Sequence, residues 1–200
     1  YFISGHKEDG RRAKDVSPRD EFERTMVDVF AQYDEQCNRE GVVDFAELLL
    51  RTFEVLTRNE ILREHYRARF NFILVDEFQD TNTLQYRWLK LLSGPQTAVF
   101  AVGDDDQSIY AFRGANVGNM KDFQRDFRVQ NVIKLTQNYR SHGNILDAAN
   151  AIIKHNSSRL GKDLWTSEGS GEPVRIFSAV NDNDEASFIV EESKALRAEG

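Results

Sequence analysis

The sequence predicts an α/β fold: a parallel sheet with helices packed on its faces. Three observations carry that prediction. Short continuous apolar runs stand at 72–75 (Phe-Ile-Leu-Val), 98–102 (Ala-Val-Phe-Ala-Val), 132–135 (Val-Ile-Lys-Leu) and 174–180. Helical stripes alternate with them: Leu84, Trp88, Leu91 and Leu92; then Ile145, Ala148, Ala149, Ile152 and Ile153; then Ala186, Ile189, Val190 and Leu196. Strands apolar on both faces, alternating with amphipathic helices, are the pattern of a covered parallel sheet. Finally, Pro18, Pro95 and Pro173 all fall outside these elements, as residues that break ladders and helices should.

In chain order, residues 1–17 are polar, with Gly5, Gly10 and Arg11-Arg12, and read as loop. Ser17-Pro18-Arg19-Asp20 has the form of a helix start, with Ser17 as the cap. Phe22, Met26, Val29, Phe30, Tyr33 and Cys37 follow at helical spacing, and Gly41 ends that helix. Phe45, Leu48, Leu49, Phe53 and Leu56 mark a second helix, and the charged stretch 58–69 a third. The aromatics of these first 70 residues are assigned to the core. The next helix precedes the second apolar run, and another is expected after Ser141, read as its cap. The stretch 167–173, with Gly169 and Gly171, reads as a flexible connection.

Composition narrows the function classes. With 40% hydrophobic and 30% charged residues over 200 positions, the chain is not collagen-like, low-complexity or a disulfide scaffold. No apolar run approaches the roughly 20 residues that span a bilayer, so no membrane partner is expected. One cysteine, Cys37, excludes an internal disulfide and a cysteine zinc cage and fits a reducing cytoplasm. The four histidines lie far apart. A net charge of −7 argues against a broad duplex-binding surface. Contact with a single strand through a few aromatic and basic side chains is compatible with it. The first residue is Tyr1 and not Met, which suggests a processed or excised piece.

The chemistry concentrates at the carboxyl ends of the predicted strands, where open α/β sheets bind ligands. Residues 71–110 hold six acids (Asp76, Glu77, Asp80, Asp104, Asp105, Asp106) against two bases. Such acids are balanced by a cation, an arginine or water. Asp104-Asp105-Asp106 lacks the acid spacing of a calcium-binding EF-hand loop. Asp76-Glu77, directly after four apolar residues, is more specific. A strand-end Asp can hold Mg²⁺ while its neighbouring Glu orients or deprotonates a water. The alternative at this point is a solvated acidic turn.

Three longer stretches add to this. Leu74-Val75-Asp76-Glu77-Phe78-Gln79-Asp80-Thr81-Asn82 resembles the Walker B motif of superfamily 1 DNA helicases of the UvrD/Rep/PcrA type. The stretch from Val102-Gly103-Asp104-Asp105-Asp106-Gln107 through Ala115, and then Leu135-Thr136-Gln137-Asn138-Tyr139-Arg140-Ser141, resemble the next two motifs of that family, in order. Weaker similarity extends over nearly the whole chain, including 43–48 and 159–162.

The resemblance implies a P-loop (RecA-like) fold with a helical inserted subdomain, and ATP and Mg²⁺ as cofactors. It implies that Asp76 reaches Mg²⁺ through water and that Glu77 positions the attacking water. Gln107 would sense the γ-phosphate, Arg140 would act as an arginine finger, and Tyr139 would stack on adenine. Tyr110, Phe112 and Arg113 would face single-stranded DNA. The family usually has Trp where this chain has Phe112, so a weaker grip is expected.

A G-x-x-x-x-G-K-[ST] phosphate loop is missing from these 200 residues. The resemblance therefore implies an internal fragment: part of the inserted helical subdomain (1–70), the later part of a first motor domain (71–136) and the start of a second (137–200). The parent would be an ATP-dependent 3′-to-5′ DNA helicase acting on single strands and single-strand/duplex junctions, in DNA repair beside other repair proteins. The chain alone would be inactive. The rivals are a helicase–nuclease of the RecB or AddA kind and a non-catalytic DNA-binding module. A decayed motor would be expected to lose Glu77, Gln107 or Arg140, and all three are present.

Overall fold

The computed structural model describes residues 1–157 and 159–199. The chain divides into two units, Tyr1–Ile133 and Lys134–Gly200.

In the first unit, four helices precede the sheet: α1 (Phe2–Glu8), α2 (Glu21–Glu40), α3 (Phe45–Arg58) and α4 (Glu60–Arg69). The last three begin alike. The side chains of Asp20, Asp44 and Asn59 accept the backbone N–H three residues on, at 2.7, 2.6 and 2.9 Å. A cap of this kind contributes about 1 kcal/mol. The first of them corrects the expected cap at Ser17: Asp20 takes that role, and the Ser-Pro pair stays outside the helix. Gly41 closes α2 at φ 68°, in the left-handed region that glycine adopts without a Cβ clash.

Helix α1 lies in the stretch read as loop. No side chain caps it, and Gly5 weakens its local signal; tertiary contacts hold it. Lys7 is 1% exposed, and its Nζ lies 2.8 Å from Asp34, 3.0 Å from Asp44 and 3.0 Å from Glu47. Arg12 joins the same cluster, bidentate on both Glu47 and Glu54. The two cations thus tie α1 and the segment after it to α2 and α3. Burial pushes the Glu47 carboxyl up, but its bonds to Arg12 and Lys7 outweigh that and hold it below the usual range. The aromatics divide: Phe30 is fully buried, whereas Phe22 and Phe45 stand on the outside of their helices.

Strands β1 (Phe72–Val75) and β2 (Ala98–Ala101) pair in parallel, Phe72 opposite Ala98 through Val75 opposite Ala101, with α5 (Thr83–Leu92) between them in sequence. Asn82 and Gln85 form a reciprocal capping box at the start of α5, both bonds 2.8 Å. One face of the sheet, Ile73, Val75, Val99 and Ala101, packs on Phe78, Tyr86, Leu89 and Phe123. The other, Phe72, Leu74 and Phe100, is exposed. Phe123 comes from α6 (Gly118–Asp126), a helix too short and polar to announce itself in the sequence.

The expected strands at 132–135 and 174–180 do not form among the described residues. The apolar pattern is there, but a strand needs a neighbour to receive its backbone hydrogen bonds. Ile133, Leu135, Ile176 and Val180 have none alongside and are at least three-quarters exposed.

The second unit carries α7 (Gly143–Ile153) and α8 (Asp182–Glu199). Ser141 does not cap α7; His142 occupies that position without a side-chain cap bond. The stretch 167–173 does the work instead, which corrects its reading as a flexible connection. Gly143 N–H donates to the Gly169 carbonyl (2.8 Å) and Asn144 N–H to that of Ser170 (2.9 Å). The Asn144 side-chain amide donates to the carbonyls of Gly171 and Glu172. Loop carbonyls thus satisfy two of the orphan donors of the first helical turn. Phe177 stacks on Phe188 of α8 with ring centroids 4.0 Å apart, and Arg175 pairs with Glu192 of the same helix at 2.7 Å.

Candidate functional site

Parallel pairing places the carboxyl ends of β1 and β2 side by side, so the acids that follow each strand share one edge of the sheet. Val102 N–H donates to the Val75 carbonyl (2.8 Å), and Phe78 N–H donates back to the Val102 carbonyl (2.9 Å). These bonds extend the ladder past both strands and force the chain to turn at Asp76-Glu77.

Glu77 sits at φ 48°, ψ 45°, in the left-handed region. That conformation costs a residue with a Cβ roughly 1–2 kcal/mol and persists only where its surroundings enforce it. Here the next residue supplies the anchor. Phe78 is buried against Phe123 and Tyr86, at 5.1 and 6.2 Å between ring centroids. Burying such a ring is worth roughly 1.5–3 kcal/mol, enough to hold the turn. With Phe78 inward, the Asp76 and Glu77 side chains are exposed at the strand end.

Sequence reasoning passed over Gln79, the residue beyond Phe78. It is 1% exposed. Its Nε2 donates to Glu77 Oε2 at 2.8 Å, and its Oε1 accepts from the backbone N–H of Asp104 at 2.9 Å. Gly103 makes the close approach possible. A Cβ there would lie 2.9 Å from Gln79 Oε1 and 3.1 and 3.2 Å from Phe78 atoms. Asp104 in turn accepts from the Gln107 side-chain amide at 2.7 Å. Glu77 and Gln107, expected to act at one phosphate, are therefore linked through Gln79 and Asp104. In the sequence Gln79 is one residue of the Walker B-like stretch, and nothing in its spacing marks it as buried.

Tyr110, Phe112 and Arg113 follow in one short turn. The two rings lie 6.0 Å apart, and the Arg113 guanidinium stands 4.9 Å from the Tyr110 centroid and 5.3 Å from that of Phe112. Phe112 is two-thirds exposed, not a core residue. This turn is stitched to the segment after the acid pair. Asn116 N–H donates to the Thr81 carbonyl, and buried Asn119 donates through its side-chain amide to the carbonyls of Thr81 and Asn82.

In the second unit, Tyr139 is 77% exposed and its hydroxyl donates to Gln137 Oε1 at 2.9 Å. Arg140 is exposed as well. Asn138 Oδ1 accepts the backbone N–H groups of both Arg140 and Ser141 at 2.8 Å. Trp165 clasps this segment, accepting from Asn138 N–H and donating to the Thr136 carbonyl.

The donors at the strand ends are carboxylate oxygens, which suit a hard cation such as Mg²⁺ and not a soft metal. Among the described residues, only Asp104, Asp105 and Asp106 bring three ligand atoms within 4.8 Å of one another. Asp76 is not one of that group, and one of its carboxylate oxygens accepts from Glu77 N–H. A single carboxylate fits Mg²⁺, which keeps most of its waters and takes further ligands from substrate phosphates.

Residues 1–128 match the UvrD/REP helicase N-terminal domain, and residues 133–200 the UvrD-like helicase C-terminal domain. The chain is 48% identical over 201 residues to the DNA helicase II of Escherichia coli, covering 100% of this chain and 28% of that protein. It is 47% identical over 190 residues to the DNA helicase II of Haemophilus influenzae, covering 94% and 26%. It is 38% identical over 197 residues to the ATP-dependent DNA helicase PcrA of Leuconostoc citreum, covering 98% and 26%. The chain belongs to the UvrD/REP helicase family. It spans about a quarter of the length of these relatives.

Proposed function

We propose that these 200 residues are a segment of an ATP-dependent DNA helicase. The observation that carries the reading is the juxtaposition at one sheet edge: Asp76-Glu77 beyond β1, and Gln107 beyond β2, bonded through Gln79 and Asp104. On this reading Asp76 holds Mg²⁺, which supplies charge neutralisation at the phosphates when bound. Glu77 orients the attacking water, and Gln107 contacts the γ-phosphate with an amide that does not change charge. Tyr139 stacks on adenine, and Arg140 stabilises charge on the transferred phosphoryl group.

The exposed pair Tyr110 and Phe112, with Arg113 against both rings, takes single-stranded DNA by stacking, which is indifferent to sequence as a tracking motor requires. Gln107 lies five positions from Phe112, so a change at the phosphate reaches the ring through one short segment. The same reading assigns a RecA-like motor fold, with 1–70 as part of a helical insertion, 71–136 as the later part of a first motor domain and 137–200 as the start of a second. It also gives 3′-to-5′ tracking, cytoplasmic DNA repair, and junctions and repair proteins as partners. No helix among the described residues is long and apolar enough to cross a membrane.

Without a phosphate loop in its sequence, this chain alone lacks the backbone cradle and lysine that hold the β- and γ-phosphates. MgATP hydrolysis by the 200 residues is therefore expected to be negligible with or without oligo-dT. In the full-length helicase, unwinding is expected from a 3′ single-stranded tail and not from a 5′ tail. Unwinding from the 5′ tail would overturn the polarity, and DNA-stimulated turnover by the isolated chain would overturn the assignment of its inactivity.

A further inference from the structure

We propose that Gln79 is a positioning residue for Glu77, setting the carboxylate that orients the attacking water and tying it to the strand end that carries Gln107. The inference rests on the nucleotide-hydrolysis reading above and goes beyond it, because Gln79 touches neither nucleotide nor metal in that scheme.

Gln79 is almost wholly buried, where an unmatched amide is costly. Both of its ends are matched, and each partner allows one role only. Backbone N–H of Asp104 donates, so Oε1 faces it at 2.9 Å. The Glu77 carboxylate accepts, so Nε2 faces it at 2.8 Å. A flipped amide would lose both bonds, and the orientation is therefore fixed by the partners. Phe78 locks the backbone between Glu77 and Gln79 into the core, and bare Gly103 lets Oε1 approach β2.

Glu77 is otherwise exposed, on a left-handed backbone. An exposed glutamate samples several rotamers; a bond to a buried, immobile amide restricts it to one. The same amide reads the position of Asp104, whose carboxylate accepts from Gln107. A shift of Gln107 toward a phosphate would thus be felt at Glu77 through two side chains. Partners of this indirect kind typically matter by 10–100-fold where they orient a group that acts directly.

The test is a two-residue cycle in the full-length helicase, reading kcat and KM for ATP in saturating oligo-dT, with thermal unfolding as a fold check. Gln79→Leu is expected to lower kcat about 10–100-fold while KM for ATP stays within about two-fold. In a Glu77→Gln background, Gln79→Leu is expected to cost almost nothing further, because the group it positions is already disabled. Gln79→Glu keeps the acceptor for Asp104 N–H but sets a carboxylate against Glu77. It serves as the second variant should the leucine not fold, with the same loss in kcat expected.

Wild-type kcat in Gln79→Leu or Gln79→Glu, or a loss that multiplies with that of Glu77→Gln, would overturn the positioning role. Full turnover in Glu77→Gln alone would instead overturn the hydrolysis reading beneath it.

Discussion

Lys7 Nζ lies 3.0 Å from Glu47 Oε2, and both side chains are at most 3% exposed. The lysine comes from α1, a seven-residue helix with no capping side chain, and the glutamate from the first turn of α3. Three carboxylates around one buried ammonium leave no neutral way to remove either partner. Lys7→Met is expected to destabilise the protein by about 3 kcal/mol, since it removes the ammonium shared by Asp34, Asp44 and the buried Glu47 and leaves Arg12 and Arg51 as the remaining cations of the cluster. Urea unfolding measures this, and Lys7→Met with Glu47→Gln together should cost less than the sum of the two.

Acid sensitivity follows from the same cluster. Burial pushes Asp44 up, but the Glu47 backbone N–H, Lys7 and Tyr33 outweigh it; Glu47 is held down by Arg12 and Lys7. Asp126 is held at about 2 by Lys90 and then Tyr86. All three titrate lower folded than unfolded, so their contribution is complete above the ordinary carboxylate range. It is lost as pH falls through that range toward the depressed values. The contribution of these three groups should be flat near neutrality and decline below about pH 4. Asp126→Asn should reduce the slope between there and about pH 2, read by unfolding at fixed temperature across pH.

Gly103 lies where β2 meets Gln79. Gly103→Ala would set a Cβ 2.9 Å from Gln79 Oε1 and 3.2 Å from the Phe78 backbone nitrogen. Gln79 Oε1 must shift and Phe78 must give by a few tenths of an ångström, at a cost of roughly 1–3 kcal/mol. In the full-length helicase kcat is expected to fall while KM for ATP changes little. Unchanged kcat would mean that the site tolerates a displaced Gln79.

The Tyr110–Phe112–Arg113 turn makes a prediction about DNA alone. Phe112→Ala should lose roughly 1–3 kcal/mol of single-strand affinity, equally for dT and dA oligomers, and Phe112→Trp should gain. Arg113→Ala should flatten the dependence of log affinity on log salt by about one unit or less, as expected for one lost phosphate contact. Fluorescence anisotropy over a salt series separates the two effects.

Much of this was legible in the sequence. The 72–75 and 98–101 strands declare themselves because each is apolar on both faces and ends in acids. Helices α2, α3 and α5 carry their apolar stripes locally, and α4 shows as a charged stretch, although the cap of α2 lies at Asp20 and not at Ser17. Helix α1 was hidden because its stability resides in Lys7 and its distant acids, which no local pattern displays. The 132–135 and 174–180 runs have strand composition, but pairing is a property of two segments and not of one. At the site, the acids and aromatics were visible by residue type. Gln79 was not, because its importance lies in burial and in two partners, one of them 25 positions away.

The measurement closest to the central claim is steady-state MgATP hydrolysis by the full-length helicase and its Glu77→Gln variant, with and without oligo-dT. The arrangement at the sheet edge predicts turnover that rises with DNA in the parent and is lost in the variant, while nucleotide binding persists. Wild-type, DNA-stimulated turnover in Glu77→Gln would contradict the assignment of Glu77 and, with it, the site built around that residue.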